Sequence, residues 1–495
     1  PTDDVRISLT PDIKQPGESS LLFIDLASGK QRLGGSILSR IFGQVGNESP
    51  DIEDVGLLRS AFACIQKLLK EGLILSGHDK SDGGLITTLC EMAFAGNCGL
   101  DIALPKTLGA DTLALLFNEE AGVVIEYLPN KLWDILSVLK EFGLEHCFSI
   151  LGATRVWKQV SVRHNSKRVL DVPTAELYSL WRKTSFQFSL LQATTEVVEM
   201  EENLTYDRPR PVTRCSFVPK RTPSSLISRA VKPLVAIIRE EGTNGQEELA
   251  RSFFLAGFEP WDVHMTDLVE GRLTLEGFKG LAFPGGFSFA DVPESAKAWA
   301  AVWKFNPRLQ EQLAQFLRRS DTFTLGLCNG AQVSTLLGLV PFPDLAMKWQ
   351  PRFLGNTSGK FESRLVHVKI LPSPSIFLSG MEDSVLPVIA AHGEGRFFCP
   401  EESLLEDIRV NVLAPIRFVD DLGVPTESYP WNPNGSPKGI TGVCSKDGRH
   451  LAFMEHPERM FRRVLWPYTP KGFERFKASP WLQMFQNARK WCDES

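Results

Sequence analysis

No apolar run in this sequence reaches the roughly 18–20 residues that a membrane-crossing helix needs, so nothing in it reads as membrane-embedded. The opening residues, Pro1-Thr2-Asp3-Asp4, have neither a basic n-region nor an apolar h-region, and no secretory signal is visible. They also lack an initiator Met, as expected of a processed or partial chain. There is no CxxC pair and no Cys/His cluster with zinc spacing. The nine cysteines are scattered and odd in number, which fits reduced thiols in a cytoplasmic protein better than a disulfide framework. Strong charge of one sign is missing as well. A net charge of −5 and a pI near 6.0 argue against binding nucleic acid or a membrane surface through bulk charge, while allowing a local basic pocket for a phosphorylated metabolite.

What is present is an ordinary globular composition, 43% hydrophobic and 23% charged, on a chain of 495 residues, which is too long for one core. Residues 1–19 are polar, contain Pro11 and Pro16, and read as a connecting arm. From 20 to 194 the pattern is α+β. A strand over Leu21–Asp25 is followed by Gly34-Gly35 and a helix, and Val55–Gly72 has apolar residues at helical spacing. Leu73–Leu75 reads as a short buried strand ending at His78-Asp79, with a helix over Leu85–Ala95 and an alternating strand over Gly122–Tyr127 after it. Residues 195–232 change from an acidic run to a stretch rich in Pro and Arg, the texture of a linker or of an arm lying along a domain surface.

From 233 to 495 the texture is α/β. Leu234–Ile238 is a continuous apolar strand of the kind buried on both faces of a parallel sheet, and a helix follows over Gln246–Ala256. Further strands end at Pro284-Gly285-Gly286 and at Leu325-Gly326-Leu327, so a doubly wound parallel sheet is expected, with ligands at the carboxyl ends of its strands.

Gly326-Leu327-Cys328-Asn329-Gly330-Ala331-Gln332 stands between such a strand and an apolar helix over Val333–Leu339. Glycines two before and two after Cys328 permit a sharp elbow that lifts the thiol to a helix N-terminus, where its pKa falls toward the attacking thiolate. A lone cysteine would more often be a buried structural residue; the flanking glycines after a strand reverse that preference. In His456-Pro457-Glu458 the proline pushes His456 toward an extended conformation, in which positions i and i+2 share a side, so the carboxylate can hold the imidazole. Alone, a His-x-Glu would as readily be a surface ion pair. Gly285 and Gly286 permit backbone N–H groups to face a developing oxyanion, although a Gly-Gly turn by itself is only a loop. In the first half, Asp79 stands at a strand end before Gly83-Gly84, a place to hold Mg²⁺ and, through Ser81 and backbone amides, a nucleotide phosphate. A polar turn capping the next helix is the equally weighted alternative.

Together, Pro284-Gly285-Gly286, Gly326-x-Cys328-x-Gly330-x-Gln332 and His456-Pro457-Glu458 resemble the class I (triad) glutamine amidotransferases, a flavodoxin-like fold. Phe287-Ser288-Phe289-Ala290-Asp291, Ala391-His392-Gly393-Glu394-Gly395-Arg396 and Tyr429-Pro430-x-Asn432-Pro433-Asn434-Gly435-Ser436 narrow the resemblance to the phosphoribosylformylglycinamidine synthase family in its long single-chain form. His78-Asp79-Lys80-Ser81-Asp82-Gly83-Gly84 and Glu91-Met92-Ala93-Phe94-Ala95-Gly96-Asn97 resemble that family's last synthetase subdomain, of the aminoimidazole ribonucleotide synthetase superfamily.

The resemblance implies a ligase of purine biosynthesis. Cys328, His456 and Glu458 would hydrolyse glutamine, with Gln332 and His392 among the substrate contacts, Asp79 on Mg²⁺ and Ser81 on ATP or ADP. The ammonia would go to an ATP-dependent synthetase acting on formylglycinamide ribonucleotide, whose first half, with its Gly-rich ATP loop, is not in this sequence. Glu455 stands where that family more often has Pro, and its negative charge beside His456 should favour the imidazolium. Two other readings compete: a cysteine peptidase or deglycase on the same scaffold, and a non-catalytic interaction protein.

Overall fold

The computed structural model describes residue 4 and residues 7–204, 208–343 and 345–494. Positions 1–3, 5 and 6 of the expected arm and 205–207 of the expected linker lie outside the described residues. Chain contacts divide the protein into two compact units, one running to Ser185 and one comprising Phe186–Leu204 and Arg208–Ser495.

The first unit is built on a seven-stranded sheet, in the order Ser76–Asp79, Gly122–Tyr127, Ser20–Asp25, Phe148–Arg155, Gly99–Leu104, Gln159–His164, Lys167–Pro173. All its pairings are antiparallel except that of Gly99–Leu104 with Gln159–His164. Alternation along Ser20–Asp25 fills two cores. Leu21 and Phe23 pack with Leu89 and Met92 of helix Gly84–Gly96, whereas Leu22 and Ile24 pack with Leu68 of helix Val55–Lys70 and Leu139 of helix Leu132–Glu141. The strand expected over Leu73–Leu75 lies one step later, at Ser76–Asp79. Leu73 and Ile74 are buried in the connection instead, because an apolar run reports burial and not ladder pairing.

The second unit carries a nine-stranded sheet in the order Val385–His392, Glu362–Ile370, Ile416–Phe418, Ile440–Cys444, His450–Phe453, Phe323–Leu327, Gly280–Phe283, Leu234–Arg239, Glu259–His264. The last five are mutually parallel and form the doubly wound part. Val235 and Ile237 face one core with Phe253 and Leu325, while Ala236 and Ile238 face the other with Trp299 and Leu281, which is why this strand is apolar throughout. The other four are antiparallel, so the sheet is mixed rather than wholly parallel. The reason lies in the connection. Ile440–Cys444 joins His450–Phe453 by a short turn, too short for a parallel crossover.

Of the stretch expected as a linker, 195–232, the described residues belong to this second unit. Helix Thr195–Glu202 buries Val197 and Val198, the Thr194 N–H donates to Ser358 O at 3.1 Å, and Arg208 grips Asp421 through two hydrogen bonds of 2.8 and 3.1 Å. Further on, Arg214 and Val385 exchange backbone hydrogen bonds of 2.9 and 2.8 Å at the sheet's edge strand. Proline and arginine content marks sparse regular structure here, not the absence of contacts.

Candidate active site

Strand Phe323–Leu327 ends at Cys328, and a helix begins at the next residue, over Asn329–Leu336. Its start precedes the expected Val333 because the first turn, Asn-Gly-Ala-Gln, carries no apolar periodicity. Cys328 has φ 52° and ψ −111°, a backbone conformation costing about 1–3 kcal/mol that neighbouring bonds must impose. Its N–H donates to Phe453 O at 3.0 Å, and its carbonyl accepts from Ala331 N at 2.8 Å. Gly330 is required by close approach, since a Cβ there would lie 1.9 Å from Phe283 O.

His456 and Glu458 meet at the carboxyl end of the neighbouring parallel strand. They converge through a 3₁₀ turn over Pro457–Arg459, not through the extended segment that the spacing suggests, because Pro457 is pre-set for the first position of a helical turn. His456 Nδ1 lies 2.6 Å from Glu458 Oε1, with both side chains buried. A carboxylate can only accept, so Nδ1 carries a proton and Nε2 is the nitrogen that exchanges one with the reacting groups. Nε2 has no partner of full hydrogen-bond geometry among the described residues. Gly285 closes the group: a Cβ there would stand 2.8 Å from His456 Cε1 and 3.4 Å from Cys328 Cβ.

Burial alone would push the Cys328 thiol up, but the His456 charge and hydrogen bonding from His392 and His456 outweigh it and bring it down to about 6. Burial likewise opposes the imidazolium of His456, and the charges of Glu458 and Cys328 overcome it, raising it to about 10. The resting pair is therefore thiolate and imidazolium, the form competent for nucleophilic attack.

The Gly286 amide and that of Asn329, first in the helix, donate to no acceptor among the described residues, and so are open to an anion. Gln332 is buried and already engaged, accepting from Asn329 Nδ2 at 2.8 Å and donating to Glu394 O at 2.7 Å. It ties the 392–396 loop to the nucleophile's helix. Glu394 Oε2 accepts from Ser295 N at 2.5 Å, and the His392 ring packs near Cys328 with Nε2 at 2.6 Å from Asn434 Oδ1. Asn434 and Glu394 carry no local signal of these contacts, since their partners are remote in sequence or on another loop. A cavity of about 580 Å³ lined by Leu317, Phe342, Leu404, Lys446 and His450 opens at the opposite, amino ends of the strands. That concavity is thus not where this chemistry sits.

In the first unit, Asp79 ends its strand with an exposed carboxylate whose Oδ1 is 3.2 Å from His78 Nδ1. Ser81 is exposed as well, whereas the Gly83 and Gly84 amides are taken by Glu119 Oε1 at 2.8 Å and Ser81 O at 2.9 Å. No group of three or more His, Cys, Asp or Glu poised for a metal occurs among the described residues. Asp79 can offer a magnesium ion one carboxylate, with water and phosphate oxygens completing the shell.

Residues 232–492, more than half of the chain, match the CobB/CobQ-like glutamine amidotransferase domain. The chain belongs to that family of glutamine amidotransferases. Ahead of this amidotransferase domain, residues 24–163 match the AIR synthase related protein, C-terminal domain. The chain is 46% identical over 496 residues to the probable phosphoribosylformylglycinamidine synthase, chloroplastic/mitochondrial, of Arabidopsis thaliana, covering 99% of the chain and 35% of that protein. It is 44% identical over 524 residues to phosphoribosylformylglycinamidine synthase of Dictyostelium discoideum, and 46% identical over 508 residues to that of Homo sapiens. These alignments cover 100% and 99% of the chain and 38% of each of those proteins, so the chain spans little more than a third of its relatives' length. No helix among the described residues is long and apolar enough to cross a membrane.

Proposed function

We propose that the amidotransferase domain releases ammonia from glutamine for the ATP-dependent amidation of formylglycinamide ribonucleotide in purine biosynthesis, as the glutaminase portion of a longer phosphoribosylformylglycinamidine synthase. The observation that carries the reading is the buried Cys328–His456–Glu458 constellation on a strained strand-to-helix elbow, with free amides at Gly286 and Asn329 beside it. Cys328 attacks the side-chain amide carbon of glutamine, and the two amides receive the oxyanion. His456 gives its proton to the departing ammonia, then takes one from the water that cleaves the thioester to glutamate. Burial keeps the ammonia unprotonated and nucleophilic. The rest of the reaction belongs to the synthetase portion, where ATP supplies the phosphoryl group that activates the ribonucleotide's amide oxygen. On this reading Asp79 contributes one oxygen to a magnesium ion, Ser81 contacts the nucleotide, and the working partner is the remaining synthetase part of the longer protein.

The test is glutamate release from glutamine by the purified chain, with Cys328→Ala as control. Wild-type release that disappears in C328A, by at least about 10³-fold, supports the reading. Hydrolysis of peptides or glycated amines in place of glutamine would overturn it, as would equal rates in both proteins. Stimulation by ATP and formylglycinamide ribonucleotide when the synthetase portion is supplied tests the coupling.

A further inference from the structure

The second unit holds another cavity, of about 570 Å³, with four cations in its wall: Arg221 from the arm, Arg462 and Arg463 from the chain just beyond the catalytic turn, and Lys477. No Asp or Glu is among the residues that line it, and none of the triad is. None of the four cations forms an ion pair among the described residues. The chain as a whole carries a net charge of −5, so this gathering runs against its average. Like charges drawn to one concavity repel, and low-dielectric walls focus their field on any anion that enters.

Two of the cations are held by the backbone of the cavity wall. Arg221 Nε donates to Lys477 O at 3.0 Å, and Arg463 Nη1 donates to Glu474 O at 3.0 Å and to Phe476 O at 2.5 Å. Arg221 therefore keeps both Nη groups, and Arg463 its Nε and Nη2, without an acceptor among the described residues. A planar guanidinium fixed in this way presents paired N–H groups at the spacing of phosphate oxygens. The side chains of Arg462 and Lys477 have no hydrogen bond among the described residues and add two mobile charges. The floor is of another kind. Leu255, Phe461 and Leu482 line the same cavity and offer an apolar surface to a sugar ring or a base. Beside them, Thr222 Oγ1 accepts from Gln486 Nε2 at 2.9 Å, which leaves its own hydrogen to donate.

We propose that this cavity binds a small phosphate ester, of nucleotide or sugar-phosphate size, with its phosphate among Arg221, Arg462, Arg463 and Lys477 and its body on the apolar floor. The inference goes beyond the glutaminase reading, no step of which uses these residues. A volume of about 570 Å³ suits a small molecule, whereas an extended acidic segment of protein would need an open face. The cavity also borders the elements that shape the reaction centre. Ser479, in its wall, donates to Met460 O at 2.6 Å, two residues beyond Glu458. Leu255 lies near the end of helix Gln246–Ala256, and Gly245, which caps the start of that helix, donates its N–H to Gly285 O at 3.1 Å.

The test is isothermal titration calorimetry of the purified chain with ribose 5-phosphate, with adenosine 5′-monophosphate and, as the probe without a phosphate, with adenosine. Binding of either ester, with none of adenosine at the same concentration, is the expected result. Arg462→Ala and Lys477→Ala each remove an exposed side chain without hydrogen bonds, so the fold is kept, and each should weaken ester binding about 10-fold. Lys446→Ala, which removes a cation at the amino ends of the strands, should leave the affinity unchanged. No binding of either ester to the wild type would overturn the proposal. Binding that R462A and K477A leave at its wild-type strength would overturn it too, by placing the ester elsewhere on the chain. So would capture of a Glu-rich peptide in place of the esters, which would assign the cavity to a protein partner. Calorimetry reads no glutamine turnover, so the result stands or falls apart from the glutaminase.

Discussion

At the scale of single residues, the site works by fixing which nitrogen of each imidazole holds a proton. Glu458 does this for His456 at 2.6 Å, and it also supplies the largest of the interactions that keep His456 charged when buried. Glu458→Gln retains an oxygen that can accept from Nδ1 but removes the charge. We expect kcat for glutamine hydrolysis to fall by about 10²–10⁴-fold with KM little changed, because the loss is of transition-state proton transfer and not of substrate contact. Steady-state kinetics of E458Q check this, and an unchanged kcat would show that orientation alone suffices. Cys328, His456 and Glu458 were legible in the sequence because their glycine and proline neighbours announce an elbow and a turn. The burial of Glu455 was not legible. Its charge in the sequence suggests a surface position, and only Thr441 and the walls of the cleft make it an interior one.

At the scale of elements, the elbow and the Pro284-Gly285-Gly286 loop are held together by absence of side chains. Gly285 lies where an added Cβ would press on His456 Cε1 at 2.8 Å, well inside van der Waals contact. Its φ is not in the left-handed region, so alanine suits the backbone, and the strain falls on the imidazole. Gly285→Ala should therefore lower kcat by about 10²-fold through displacement of the base, with a small change in melting temperature. A large fall in melting temperature with kcat preserved would contradict this. Residues Gly285 and Gly286 could be picked from sequence as a loop at a strand end, but their approach to His456 crosses about 170 positions of chain, which no local pattern encodes.

At the scale of the molecule, the second unit extends beyond the amidotransferase sheet to include the arm at 208–232. Asp421 is 4% exposed and is satisfied by Arg208 from that arm and by Trp431 Nε1 at 2.8 Å. Arg208→Ala leaves a buried carboxylate short of one partner. We expect a loss of about 1–3 kcal/mol at neutral pH, below the value for a wholly buried pair because Arg208 is itself 35% exposed. The sign with pH follows from Asp421, where burial is outweighed by Arg208 and Trp431, so its carboxyl lies below 3.8 in the folded state. Such a group stabilises the fold above 3.8, and that stabilisation fades as pH falls through the depressed value. Urea unfolding of R208A and wild type at neutral pH and in acid should show a gap that narrows in acid; a gap independent of pH would mean that the arm acts by packing alone.

The sequence by itself determined the two fold textures, the apolar strands of the parallel sheet and the nucleophile between its glycines, because each of these is a local pattern of period, turn chemistry or flanking residue. It also carried the His456–Glu458 pair, although by a turn rather than an extended segment. Tertiary structure alone decided that the sheet continues as four antiparallel strands, that the Pro- and Arg-rich stretch is an arm bound to the second unit, and that Cys328 sits among two imidazoles and two buried carboxyl groups. Those outcomes depend on pairings between residues tens to hundreds of positions apart. They depend also on how deeply a charge is buried, which spacing along a chain does not specify.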